Sequence, residues 1–293
     1  MGCFLAEGES QGSFDFSGAK LRSQLNWTVV RPNTLQDQRV RSVQWKDLTH
    51  LSAAEIVKEL FLSLPWLAIS LWLASQGWFA VALAPSFMFF LVGLRQVHNA
   101  YHYALGISRR GCDWVMFALS GLMLGSMHAV QINHLQHHRH CLEEEDVEGA
   151  SARMSGWKAI VVGPLFPVRL HVNALRKARG ASLRWIVAEL IVTAVVITTA
   201  IFVPSRWLRY HVAAMAVGQC LTSFFAVWTV HHDCESGTPF ARTLRGLLKS
   251  TATYNMFYHV EHHLFPAVPT CHLPLLAERL DRSAPELTRL KVF

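Results

Sequence analysis

Four groups of histidines in this sequence have spacings that suit metal binding. His98 and His102 form H-x-x-x-H, His134, His137 and His138 form H-x-x-H-H, His259, His262 and His263 repeat that pattern, and His231 and His232 are adjacent. On a helix, residues three or four apart share a face, so each group is expected to present two or three imidazoles toward one spot. Neutral imidazole is a good ligand for iron, copper, nickel and zinc, and eight or nine of them exceed what one ion coordinates. Zinc is usually satisfied by four ligands. Two ions in one site is the economical reading, and two irons, which change oxidation state and bind oxygen, call for the larger set. His50, His128, His140, His171, His211 and His272 lie outside these groups and are assigned no metal role.

Imidazoles from distant segments meet only if the intervening elements return them to one place, and the rest of the sequence shows how. Charged residues make up 16% of the 293 residues, a low share for a soluble chain, and mean hydropathy is positive at +0.24. Ten Trp and seventeen Phe suit a bilayer boundary. Four stretches are long and apolar enough for a spanning helix of about 20 residues: Ile56–Ser75, Trp78–Leu94, Leu183–Val203 and Tyr210–Val230. Short turns at Gln76-Gly77 and Pro204-Ser205-Arg206 make them two hairpins. Of the 27 basic residues only Arg206 and Arg209 fall in those turns, which places both termini and the central segment in the cytoplasm. A fifth apolar run, Cys112–Val130, lies between two histidine groups. A crossing there would put them on opposite sides, so it is read as an interfacial helix lying along or dipping into the cytoplasmic face.

The expected fold is therefore an all-α integral membrane protein, with four transmembrane helices in two hairpins, a cytoplasmic histidine-rich cap and one interfacial helix. Residues 1–50 are expected to form a cytoplasmic lead-in and residues 51–293 the membrane domain. Residues 1–50 are polar, without a cleavable signal peptide, and Ala6 stands where a myristoylation signal following Met-Gly-Cys needs Ser or Thr. The six cysteines form no Cys-x-x-Cys pair, which argues against a zinc knuckle or a disulfide framework. Net charge is +7, but the basic residues do not form a tract with interleaved aromatics, so no nucleic-acid partner is expected. Next to the second histidine group runs Glu143-Glu144-Glu145-Asp146-Val147-Glu148. Such a run is ordinarily a solvated acidic face. The sharper reading gives Asp146 and Glu145, and Glu261 inside the third group, the task of accepting the far ring N–H of a ligand histidine.

The segments His98-Asn99-Ala100-Tyr101-His102, His134-Leu135-Gln136-His137-His138 and Tyr258-His259-Val260-Glu261-His262-His263-Leu264-Phe265-Pro266 resemble the three histidine boxes of the membrane fatty acid desaturase superfamily. The likeness continues through Val268-Pro269 and Leu273-Pro274 and covers roughly residues 56 to 280. It implies two iron ions held by the box histidines, O2 as co-substrate, and hydrogen abstraction from a methylene of an acyl lipid or carrier-bound acyl chain. The family places Asn or His after a Trp at the end of the fourth span. Trp228-Thr229-Val230-His231 matches, which makes His231 the ninth ligand and His232 its rival. Glu235 stands where some members carry a further histidine and joins the candidates for support of the ligands.

The implied reaction is desaturation of a fatty acyl chain. The runner-up is a lipid hydroxylase or carotenoid ketolase of the same superfamily. Ketolases share the H-x-x-H-H-R-H pattern of His134–His140 but usually show Asp where this chain has Asn99. A histidine-rich metal transporter would need ligands buried along the spans, whereas ionisable residues near or within them are few: Glu55, Glu59, Glu189 and His211. Neither a Gly-rich dinucleotide fingerprint nor a haem-binding His-Pro-Gly-Gly motif is present, so electrons are expected from a separate donor of ferredoxin or cytochrome b5 type with its reductase.

Overall fold

The computed structural model describes residues 37–234, 240–285 and 292. Glu235 lies outside the described residues. Among those residues the chain is helical, without a strand. A short helix α1 (Gln38–Arg41) leads to α2 (Ala53–Phe61), which starts on a capping box: Ser52 Oγ accepts from Glu55 N at 3.3 Å, and the Glu55 carboxylate accepts from Ser52 N at 2.8 Å. After a slight break α3 (Leu64–Ser75) continues it, and the Gln76-Gly77 turn, with Gly77 at φ 81°, leads into α4 (Phe79–Tyr101). Four stretches are long and apolar enough to cross a membrane: Ala53–Ser75, Phe79–Tyr101, Gly180–Phe202 and Arg206–His231. Each outward face is apolar, with Ile69, Val81, Leu83, Ile191, Val195 and Val217 all exposed.

Several polar groups inside these helices pair with one another, as an apolar surround favours. Glu59 on α2 is paired with Arg95 on α4 through contacts of 2.5 and 2.8 Å, with both side chains buried. One turn away Ser63 donates to Gln96 Oε1 at 2.7 Å, and Gln96 donates to the Leu60 carbonyl at 2.6 Å. At the other end of the pair, Ser70, Ser86 and Tyr210 form a chain of hydroxyls at 2.7 and 2.9 Å.

The fifth apolar run departs from the single interfacial helix expected. It forms α5 (Arg109–Met123) and α6 (Met127–Arg139), bent by 112° at a break where Leu124 takes the left-handed conformation with φ 60°. Ser126 caps α6 by accepting from Ala129 N at 3.1 Å. Glu189, buried on α9 (Gly180–Phe202), accepts from Ser126 Oγ and from His128 N, and so holds the bend against α9. α4 delivers His102 and α6 delivers His134 to within 3.0 Å of each other, so the α5–α6 pair returns to the end from which it set out.

α7 (Gly156–Val161) and α8 (Leu165–Lys177) follow, α8 packing on α6. α10 (Arg206–Thr222) packs against α9, α3 and α4. It runs into a π-helical segment, Ser223–Trp228, before the last turn α11 (Thr229–His231). Beyond it lie α12 (Leu247–Ala252), α13 (His259–Leu264) and α14 (Leu273–Ser283). Within the expected lead-in, Val40, Val43 and Leu48 pack in one core with Leu264, Phe265 and Leu276, and Arg279 pairs with Asp47 at 2.7 Å.

Candidate metal centre

The histidines converge at the ends of four helices. α4 runs past Leu94, where the expected apolar stretch ends, and carries His98 on its last turn with His102 as its cap. α6 contributes His134, His137 and His138, α11 contributes His231, and α13 contributes His259, His262 and His263.

They divide into two neighbouring clusters. In the first, His98, His102, His134, His138 and His262 offer ring nitrogens within 4.8 Å of one another. His134 Nε2 lies 3.0 Å from His102 Nε2 and 3.1 Å from His138 Nε2, His262 Nε2 lies 2.9 Å from His138 Nε2, and the His98 ring sits 4.0 Å from that of His262. In the second, His231 Nε2 lies 3.0 Å from His137 Nε2 and 2.9 Å from His259 Nε2, and His263 Nε2 lies 3.1 Å from His259 Nε2. The sequence expectation that each box aims at one spot holds for His98 and His102, which share the first cluster, and is corrected for the second and third boxes. Successive helical residues point about 100° apart, so His134 and His138 face one cluster while His137 faces the other. On α13, His259 and His263 face the second cluster and His262 the first.

The far ring nitrogens are held in turn. His137 Nδ1 lies 2.7 Å from Asp146 Oδ2, His134 Nδ1 lies 2.9 Å from Glu148 Oε1, and His231 Nδ1 lies 2.7 Å from the Phe240 carbonyl. Asp146 is fixed by two backbone donors, Leu142 N at 2.9 Å and Gly149 N at 2.8 Å. Burial works against its charge, yet the bond from His137 and these backbone donors keep it below the ordinary carboxylate range. Burial, reinforced in most cases by neighbouring imidazoles, lowers His134, His138, His259, His262 and His263 well below the usual histidine value, and burial brings His102 down to about 4. Neutral imidazoles are the form that binds metals. At His137 burial is the largest influence and opposes the charge, but the bonds to Asp146 and Cys141 and the nearby Glu148 carboxylate together outweigh it, and the value is raised.

The remaining candidates lie elsewhere. His232 stacks on Trp228 at 4.1 Å, with Nδ1 2.9 Å from the Trp228 carbonyl, and does not join either cluster. Glu261 accepts from Thr243 Oγ1 at 2.8 Å and from Arg245, and so anchors α13 and touches no clustered histidine ring. Glu145 is exposed, and only its backbone carbonyl is engaged, by Gln136. His128 is bound to Glu189, His140 to Glu143, His171 to the Pro167 carbonyl, His211 to the Leu122 carbonyl, and His272 to Glu55 and the Leu48 carbonyl. Two members of the site escaped the sequence reading. Glu148 was seen only as part of an acidic run, although its place fourteen residues after His134 is opposite that histidine once the chain has turned back. Cys141, one of six cysteines without a Cys-x-x-Cys partner, belongs to the second cluster.

An apolar cavity abuts both clusters. Leu94, Val130, Phe166, Leu170, Val227 and Phe257 line its walls, and His98, His134, His137, His231 and His259 close one side.

No curated protein matches the chain. Residues 70–291 match the fatty acid desaturase family.

Proposed function

Because the chain belongs to the fatty acid desaturase family, we propose that it is a membrane oxidoreductase that uses two irons and O2 to introduce a double bond into a fatty acyl chain. The observation that carries this reading is the pair of imidazole clusters set against one apolar cavity.

The donor set fits metal ions. With Nδ1 of His137 turned to Asp146 and that of His231 turned to the Phe240 carbonyl, their two Nε2 atoms face each other at 3.0 Å, where both rings can hold one shared cation, a proton or a metal ion. The nine ligands are taken as His98, His102, His134, His138 and His262 for one ion, and His137, His231, His259 and His263 for the other. Bound there, two irons would supply oxygen activation and hydrogen abstraction from an unactivated methylene.

The protein's own part is placement. The apolar walls take the acyl chain and exclude water, and the histidines bordering the cavity set a methylene beside the metals. Asp146 and Glu148 fix ring tautomer and orientation. Asn99 links the first box to the chain beyond the third: its amide donates to Glu59 at 3.2 Å, and its oxygen accepts from Thr270 N at 3.1 Å and Oγ1 at 2.6 Å. An aspartate there would set a second carboxylate against Glu59, which favours the Asn-containing acyl desaturases over the ketolases. In the same reading, the four apolar stretches cross the membrane as two hairpins with the histidines on the cytoplasmic side. The electrons come from a separate ferredoxin or cytochrome b5 type donor with its reductase.

Feeding deuterated fatty acids to expressing cells tests the reaction. Loss of two deuteriums from adjacent carbons is expected. Loss of one deuterium with gain of one oxygen identifies a hydroxylase instead, and a change confined to pigments identifies a ketolase.

A further inference from the structure

The two clusters differ in their donors. The first holds five imidazoles, and the second four together with a thiol: Cys141 Sγ is grouped within 4.8 Å of ring nitrogens of His137, His231 and His263. Cys141 follows the end of α6 and stands four residues after His137, so the chain brings it back beside that ring. Its sulfur lies 3.9 Å from His137 Nε2 and 3.8 Å from the Phe240 carbonyl that also receives His231 Nδ1. Thiols are weak hydrogen-bond donors and acceptors, and contacts this long add little. A metal fits the gap better. An ion about 2.1 Å from nitrogen and about 2.3 Å from sulfur bridges separations up to about 4.4 Å, and 3.9 Å falls within that reach.

Resting on the two-metal reading above, we propose that Cys141 is a sulfur ligand of the second metal ion. A metal–sulfur bond forms, the S–H bond breaks, and the proton leaves to solvent; no electron is transferred. Each ion then has five protein donors, but of unlike kind. A soft, anionic donor on one ion only makes it more electron-rich than its all-imidazole neighbour.

The test is X-ray absorption of the full chain in detergent, loaded with iron and, in parallel, with cobalt, with metal content measured on the same samples. A sulfur shell at about 2.3 Å from one metal in two is expected. It should vanish in Cys141→Ser with two metals still bound, and persist in Cys234→Ser. Cobalt-loaded protein should lose its near-ultraviolet sulfur-to-metal charge-transfer band in the same variant. Alkylation of the unaltered chain gives a measurement that does not depend on folding of a variant: Cys141 should label at least tenfold faster after chelation than before. Two bound metals with nitrogen and oxygen scattering alone, or a sulfur signal that survives Cys141→Ser, overturns this assignment and leaves the two-metal reading standing. A chain that takes up no metal overturns both.

Discussion

Asp146 Oδ2 stands 2.7 Å from His137 Nδ1, with both side chains buried, so the carboxylate decides which nitrogen of that ring faces the second cluster. Carboxylates in this position typically change metal affinity by about 10–100-fold. Asp146→Asn should therefore weaken metal binding by about that factor, whereas Glu145→Gln, on an exposed side chain of the same acidic run, should leave it unchanged. Metal titration of the two purified variants checks this, and equal affinities would refute it.

Gly149 should behave as part of the same device. A Cβ added there would collide with Asp146 Oδ2, leaving no room for any side chain, while the Gly149 N–H holds Asp146 Oδ1 at 2.8 Å. Gly149→Ala is expected to reproduce the metal loss of Asp146→Asn without touching a ligand. Gly121→Ala, whose nearest neighbour would be Val192 at an ordinary 3.5 Å, serves as the comparison and should bind metal normally. Metal titration of both variants checks the pair.

His231 and His232 are adjacent but point into different surroundings, the first among the imidazoles and the second onto Trp228. His231→Ala should lose metal from the second centre and abolish turnover. His232→Ala should retain two metals and at least half of the activity. Metal analysis with product assay in membranes discriminates, and the reverse order of effects would exchange their roles.

Glu59 and Arg95 form a buried bidentate pair between α2 and α4. Removing one partner of such a pair commonly costs about 3–5 kcal/mol, because the other is left charged in a dry surround. Arg95→Met alone should sharply lower the unfolding temperature in detergent, and Glu59→Gln with Arg95→Met should cost clearly less than the sum of the two single changes. Additive losses would show that the pair is not coupled.

The sequence made the membrane helices and the histidine groups visible because both signals are local. A run such as Leu190–Ile197 needs no partner to be recognised as apolar, and the i, i+4 spacing of His98 and His102 speaks for one helix face on its own. What stayed hidden depends on long-range geometry. The 112° bend between α5 and α6 hangs on Glu189, sixty-one residues beyond His128, and no local pattern reports that contact. The role of Glu261 was likewise out of reach. Spacing put it beside two ligand candidates, but the helix turns it toward Thr243 and Arg245. Which of His231 and His232 points inward was undecidable locally, since a π-helical segment precedes them and shifts the phase of the helix.

The interleaving of the boxes has a further consequence. α6 and α13 each send side chains into both clusters, so each helix is pinned at two points and neither can rotate about its axis without disturbing both. The two centres resemble a pair of rivets through the same two plates: removing one leaves a joint free to pivot about the other. In the two-metal reading, a chain that has captured one ion would still let both helices turn about it, and only the second ion would fix their rotation.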